Sequence, residues 1–280
     1  MAAQGSKDEG SKDEGSKDGG SKDGGSKDSG ERIVTAAVLI IGNEILSGRT
    51  KDVNLGHIAE ELTKLGIRLR EARVISDVEA EIIAAVNDCR TRYDYVFTTG
   101  GIGPTHDDIT SASVARAFGR PLILDPRACA ILESHYPPGG LNEARLRMAH
   151  VPEGAVLIEN PISAAPGFRI GNVFVMAGVP AVMRAMFDGI KGSLTGGPPV
   201  LSRTVGAYLG EGVIAAGLGA LQERYPALEI GSYPFFRQGR YGASFVLRGT
   251  VQGLIDAAAE ELRTLIRQLG AEPIEGEAPG

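Results

Sequence analysis

The chain has 280 residues, a formal charge of -6, 42% apolar and 23% charged residues, only 5% aromatic residues and no tryptophan. This is the composition of a globular protein large enough for one large domain and a small one. It offers neither the basic stripe nor the stacking surface of a nucleic-acid binder, and its longest apolar run, 36–41, is too short to cross a bilayer.

Two cysteines, Cys89 and Cys129, without a Cys-x-x-Cys pair exclude a disulfide framework and point to a reducing, cytoplasmic setting. Residues 5–29 repeat a five-residue unit beginning Gly-Ser-Lys-Asp. With no apolar residue to bury, residues 1–30 are expected to be a disordered, solubilising tail, and they lack the apolar core of a secretory signal.

The ordered part opens on an almost continuously apolar strand, 35–41, of the kind a sheet covered on both faces requires. Leu55, Ile58, Ala59, Leu62 and Leu65 then share one helical face, and Gly66 ends that helix. A strand over 69–75 follows, and Asp77 is placed to cap a helix carrying Ile82, Ile83, Val86 and Cys89. Strand 95–99 and helix 111–118 continue the alternation, which predicts a doubly wound, mostly parallel α/β sheet. Residues 125–149 read as two helical pieces broken at Pro137-Pro138-Gly139-Gly140. Short strands at 156–158 and 173–176 enclose an irregular loop, 160–167, and a helix begins at Pro180.

Glycines and prolines at 195–199 mark a boundary between a domain at 31–195 and a smaller one at 200–272. The latter reads strand, helix, strand, strand, helix, a two-layer α+β arrangement. Arg237 and Arg240 flank its hairpin turn and read as solvated surface.

In an open parallel sheet ligands bind beyond the carboxyl ends of the strands, so three loops are candidates. The first is Gly42-Asn43-Glu44-Ile45-Leu46, with Asp52 and Asn54 shortly after it; taken alone, its glycine turns and helix cap need no function. The second is Thr98-Thr99-Gly100-Gly101-Ile102-Gly103-Pro104-Thr105-His106-Asp107-Asp108-Ile109-Thr110. Glycines after a strand let amides approach an anionic oxygen, the threonine hydroxyls can donate, and the following helix start adds positive potential. Asp107 and Asp108 could hold a divalent cation bridging phosphate oxygens, or one of them could simply cap the helix. The spacing is neither a dinucleotide fingerprint nor a P-loop. The third comprises Asn160-Pro161 with Ala165-Pro166-Gly167 and Gly178-Val179-Pro180, which could equally be tight connections. The four histidines show no metal-ligand spacing, and no nucleophile–base pair can be picked out.

Together these loops resemble the MoaB/Mog molybdopterin-binding family, and within it the CinA-like (competence/damage-inducible protein A) branch. The motifs occur in order over residues 33–190, and Met183-Arg184-Ala185-Met186-Phe187 agrees as well. The Thr105-His106-Asp107-Asp108 variant is similar to the molybdopterin-binding-like domain at the N-terminus of eukaryotic FAD synthase.

The resemblance implies a pterin or nucleotide ligand, a homo-oligomer, and Mg²⁺ or another divalent cation. Phosphate contacts are implied for Thr98, Thr99, Gly100, Gly101, Gly103, Pro104, Thr105, Asn43, Asn54, Pro166, Gly167, Gly178 and Pro180. Catalytic roles are implied for Asp108, Asp107 and Glu44, with Asp107 and Asp108 on the metal. The expected activity is metal-dependent cleavage of a nucleotide pyrophosphate of the ADP-ribose or FAD type. The alternatives are a non-catalytic molybdopterin- or nucleotide-binding module and adenylyl transfer in molybdenum cofactor biosynthesis. Two departures bear on this: Asn43 stands where the family has an aspartate, and the chain carries no counterpart of the family's nicotinamide-nucleotide deamidase domain.

Overall fold

A computed structural model describes residues 32–237 and 239–276; the repeat segment lies outside them. The chain runs β1 (Val34–Ile41), α1 (Asn43–Leu46), α2 (Asn54–Lys64), β2 (Ile67–Ile75), α3 (Glu79–Arg92), β3 (Tyr95–Thr99) and α4 (Thr110–Ala117). Next come β4 (Leu122–Leu124), α5 (Pro126–His135), α6 (Glu143–Leu146), a 3-10 turn at Arg147–Ala149, β5 (His150–Pro152), β6 (Val156–Ile158), β7 (Gly167–Ile170), β8 (Val173–Met176) and α7 (Pro180–Lys191). The smaller lobe holds β9 (Leu201–Ala207), α8 (Glu211–Arg224), β10 (Glu229–Arg237), β11 (Arg240–Gly249), α9 (Gln252–Gln268) and β12 (Ile274–Glu275).

The first sheet has the order β2-β1-β3-β8-β7-β6. Strands β2, β1, β3 and β8 are parallel, while β7 pairs antiparallel with both β8 and β6. The expected α/β fold with a mostly parallel sheet is therefore observed. The apolar run of β1 is buried because both faces are covered. Ile58 and Leu62 of α2 and Met183, Met186 and Phe187 of α7 pack on one face. Ile82, Val86 and Cys89 of α3 and Val114 of α4 pack on the other.

Three short pairings were not expected. Strands β4 and β5 form a separate two-stranded sheet, β7 extends the end of the loop 160–167, and β12 adds to β9. The smaller lobe is an antiparallel sheet, β10-β11-β9-β12, with α8 and α9 on one face and a core of its own around Phe245, Leu247, Ile214 and Leu262. Among the described residues no helix is long and apolar enough to cross a membrane.

Candidate functional site

The carboxyl ends of β1, β2, β3 and β8 deliver four loops that interlock. Gly42 donates its amide to Ile75 O at 3.1 Å, joining the loops after β1 and β2. Asp77 was expected to cap α3. Instead its carboxylate accepts from the Asn43 amide at 2.9 Å and so caps α1, while α3 starts after Val78 with no side-chain cap. A cap supplied across the tertiary structure satisfies an otherwise orphan amide as well as a local one does.

Gly100 sits at the crossing point. Its φ of +102° suits glycine alone, and a Cβ there would meet Ile41 O at 2.2 Å. Its amide donates to Met176 O at 3.1 Å, so Gly100 stitches the loop after β3 to the end of β8 and does not offer an N–H to a ligand, contrary to the expected role. Gly101 follows with φ +68° and accepts at its carbonyl from the Thr110 amide at 2.9 Å. The amides of Gly101, Ile102 and Gly103 have no acceptor among the described residues, and these are the donors the loop offers.

At the ends of β3, α2 and α4 lie buried polar atoms without a partner in the protein: the hydroxyls of Thr98, Thr99 and Thr110 and Oδ1 of Asn54. Their residues are at most 4% exposed. Such groups cost free energy unless something completes their hydrogen bonding. Asn54 Nδ2 donates to Gly178 O at 2.8 Å, which ties the start of α2 to the loop after β8. The Asp52 carboxylate takes the Leu55 amide, leaving Asn54 free for that tie. Thr110 closes the candidate loop but was given no role in sequence, yet its Oγ1 lies 2.1 Å from where a Cβ on Gly101 would be. Its position as the first residue of α4, three residues after Asp107, was the available signal.

The acidic residues are held apart. Asp108 Oδ2 accepts from the Thr105 amide at 2.8 Å and the Thr105 hydroxyl at 2.5 Å, and the carboxylate lies against Gly103, 2.6 Å from a Cβ placed there. Asp107 is exposed. Glu44 folds its carboxylate back over Gly42, whose missing side chain leaves room for it. The three carboxylates do not form a cluster with ligand atoms within 4.8 Å of one another. The group of that kind among the described residues is Glu71, Asp88 and Cys89, and there Arg73 already bonds both carboxylates.

The third loop is mostly structural. Asn160 organises it by donating to Ser163 Oγ and Ala165 O and by accepting from the amides of Ile162 and Ser163. Pro166 is buried, and Gly167 passes so close to β8 that a Cβ would meet Val175 O at 2.3 Å. Gly178 is exposed and packs against Gly100, while Pro180 is exposed at the start of α7. Pro104 and Thr105 form the outer turn of the glycine loop. In the smaller lobe Arg240 stacks over Tyr208 at 4.3 Å and Arg237 over Phe235 at 5.4 Å, so these arginines are packed on rings rather than simply solvated.

Comparison with known proteins covers both lobes. Residues 37–195 match the family described as probable molybdopterin binding domain, and residues 199–273 match the FAD synthase middle domain. A protein of Pyrobaculum calidifontis is 33% identical over 251 residues, which is 83% of this chain and 96% of that one. A CinA-like protein of Desulfosudis oleivorans is 40% identical over 159 residues, and the aligned region spans 38% of its length. The crystal structure of a CinA protein of unknown function from Thermoplasma acidophilum superposes with a TM-score of 0.54 at 34% identity, covering 57% of this chain and 98% of that one.

Proposed function

The chain belongs to the probable molybdopterin binding domain family, with a MoaB/Mog-like α/β fold and CinA-like relatives, and we propose that it binds a nucleotide or pterin phosphate at the glycine loop and hydrolyses a nucleotide pyrophosphate with the help of a divalent cation. The observation that carries the reading is the row of free amides of Gly101, Ile102 and Gly103 with the unpartnered Thr110 hydroxyl against Gly101.

In this scheme the three amides hold a phosphate at the start of α4, where the helix end adds positive potential. Asp107 and Asp108 fit a hard cation of the Mg²⁺ type, which is bound through one or two carboxylates plus substrate phosphates rather than by a protein cage. When bound, the cation neutralises charge on the pyrophosphate as it is cleaved. Thr105 keeps Asp108 turned toward Gly103, so the carboxylate stays at the mouth of the loop. Glu44, at the adjoining loop, would help Asp107 and Asp108 position the cation and the attacking water only by turning away from Gly42.

Incubation with ADP-ribose, FAD and NAD in the presence of Mg²⁺, Mn²⁺ or Co²⁺, read by mass spectrometry, tests the reading. The expected result is a nucleoside monophosphate from at least one of them; no product at high enzyme concentration overturns hydrolysis. A second reading, binding without turnover, is favoured by Asn43 and by the fact that Glu44, Asp107 and Asp108 do not share one cluster. Tight calorimetric binding with no product would establish it.

A further inference from the structure

A cavity of about 680 Å³ lies between the two lobes, at the start of β2 and thus at the opposite end of the sheet from the glycine loop. Its volume falls in the range of small-molecule sites. Leu69 and Val200 contribute apolar wall, and its charged rim is unbalanced: Lys64, Arg68, Arg70 and Arg248 face Glu60 and Glu229. That surplus of positive charge stands out on a chain whose net charge is -6.

The pairing state of these cations is the informative feature. Lys64 is bound to Glu61 at 2.5 Å. Arg68 and Arg70, by contrast, share one carboxylate, Glu229, at 3.8 and 3.9 Å, beyond hydrogen-bond reach. Among the described residues neither of them, nor Arg248, donates a side-chain hydrogen bond to the protein. Arg73, Arg203, Arg224 and Arg263 do, whereas exposed arginines such as Arg120, Arg184 and Arg267 also do not, so what is distinctive is the grouping of three such side chains at one cavity. Arg248 lies directly across the β10–β11 ladder from Glu229, which puts it on the same wall of the cavity as that carboxylate. Unused guanidinium forks around a cavity are suited to phosphate, which they can grip bidentately.

We propose that this cleft is a second binding site, for a phosphate-bearing small molecule with an apolar body, of nucleotide type. The phosphates engage Arg68, Arg70 and Arg248, the body lies on Leu69 and Val200, and Glu229 is the internal counter-ion that the phosphates displace. The site is independent of the glycine loop and does not rest on the pyrophosphatase reading.

Calorimetric titration of the full chain with ADP, and separately with inorganic pyrophosphate, tests the proposal. The double variant R70E/R248E is expected to weaken one ADP-binding step by at least about tenfold. Glu229→Gln is expected to tighten the same step about threefold or more, which a merely damaged fold would not do. Product formation at the glycine loop should be unchanged by either. ADP binding that is absent, or equal in the wild type and R70E/R248E, overturns the proposal, and pyrophosphate binding as tightly as ADP overturns the role of the apolar wall. A negative substrate panel leaves this titration unaffected, so the two readings fail separately.

Discussion

Two glycines three residues apart in the same loop are required for different reasons, and substitution separates them. At Gly100 an alanine would combine a φ of +102° with a contact of 2.2 Å to the Ile41 carbonyl, a backbone atom that cannot move without shifting β1. Gly100→Ala is therefore expected to cost more than about 3 kcal/mol, seen as a large drop in the urea midpoint. At Gly103 the added Cβ meets only the movable Asp108 carboxylate, at 2.6 Å. Gly103→Ala should stay within about 1 kcal/mol of wild-type stability while turnover falls about tenfold or more as Asp108 is displaced. Equal stability of the two variants would contradict this division. Asp108→Asn keeps the shape and, as the proposed mechanism requires, should abolish most turnover with phosphate affinity largely retained. Comparable losses of both would make Asp108 a binding group only.

At the level of elements, capping shows where local and tertiary information part. Asp125 caps α5 by accepting from the amides of Arg127 and Ala128, and the Arg127 guanidinium, with those amides, lowers its carboxyl to about 2. A depressed folded-state pKa stabilises the protein above the unfolded value of 3.8, and the contribution is lost as pH falls toward 2. Asp125→Asn keeps the cap but not the charge, so it should cost about 1–2 kcal/mol near neutral pH. The gap should close by about pH 2 in acid-denaturation curves. That cap was readable in sequence because Asp125-Pro126 is local. The partner of Asp77 was not: the residue sits at cap spacing for α3 yet turns to Asn43, 34 residues earlier, because the β2–α3 and β1–α1 loops meet at the sheet's end. Asp77→Ala should cost about 0.5–2 kcal/mol and weaken ligand binding by loosening α1; unchanged affinity would show that α1 is not part of the site. The same limit explains the missed strands. The long periodic elements, β1, β3, α2 and α7, announce themselves, whereas β4, β7 and β12 span three, four and two residues and exist only through partners distant in sequence. Likewise the run of glycines was legible as a phosphate loop, but the bond from the Gly100 amide to Met176, which removes that donor, depends on how β3 and β8 are paired.

The whole molecule is two lobes with separate cores, for no buried residue of the Phe245 cluster comes from the first sheet. The shared carboxylate of Glu229 is a weak tie, since exposed ion pairs contribute about 0–1 kcal/mol. The linker itself is pinned to the first lobe. Gly197 donates its amide to Gly66 O at 3.2 Å, and Thr195 donates its amide to the Tyr95 hydroxyl at 2.9 Å. Gly196 passes so close to the turn after α2 that a Cβ would lie 1.6 Å from Leu65 O. An alanine at 196 must lift the linker from that turn, breaking the neighbouring Gly197 bond, while leaving both cores intact. Calorimetric melting of Gly196→Ala is therefore expected to resolve into two transitions, one per lobe, each close to the temperature of that lobe's own core. Because Arg68 and Arg70 lie on one side of the cleft and Arg248 on the other, the same variant should lose ADP affinity at the cleft while keeping activity at the glycine loop. A single unchanged transition would mean that the lobes are held by more than the linker, and the cleft would then be a rigid part of one domain rather than a junction between two.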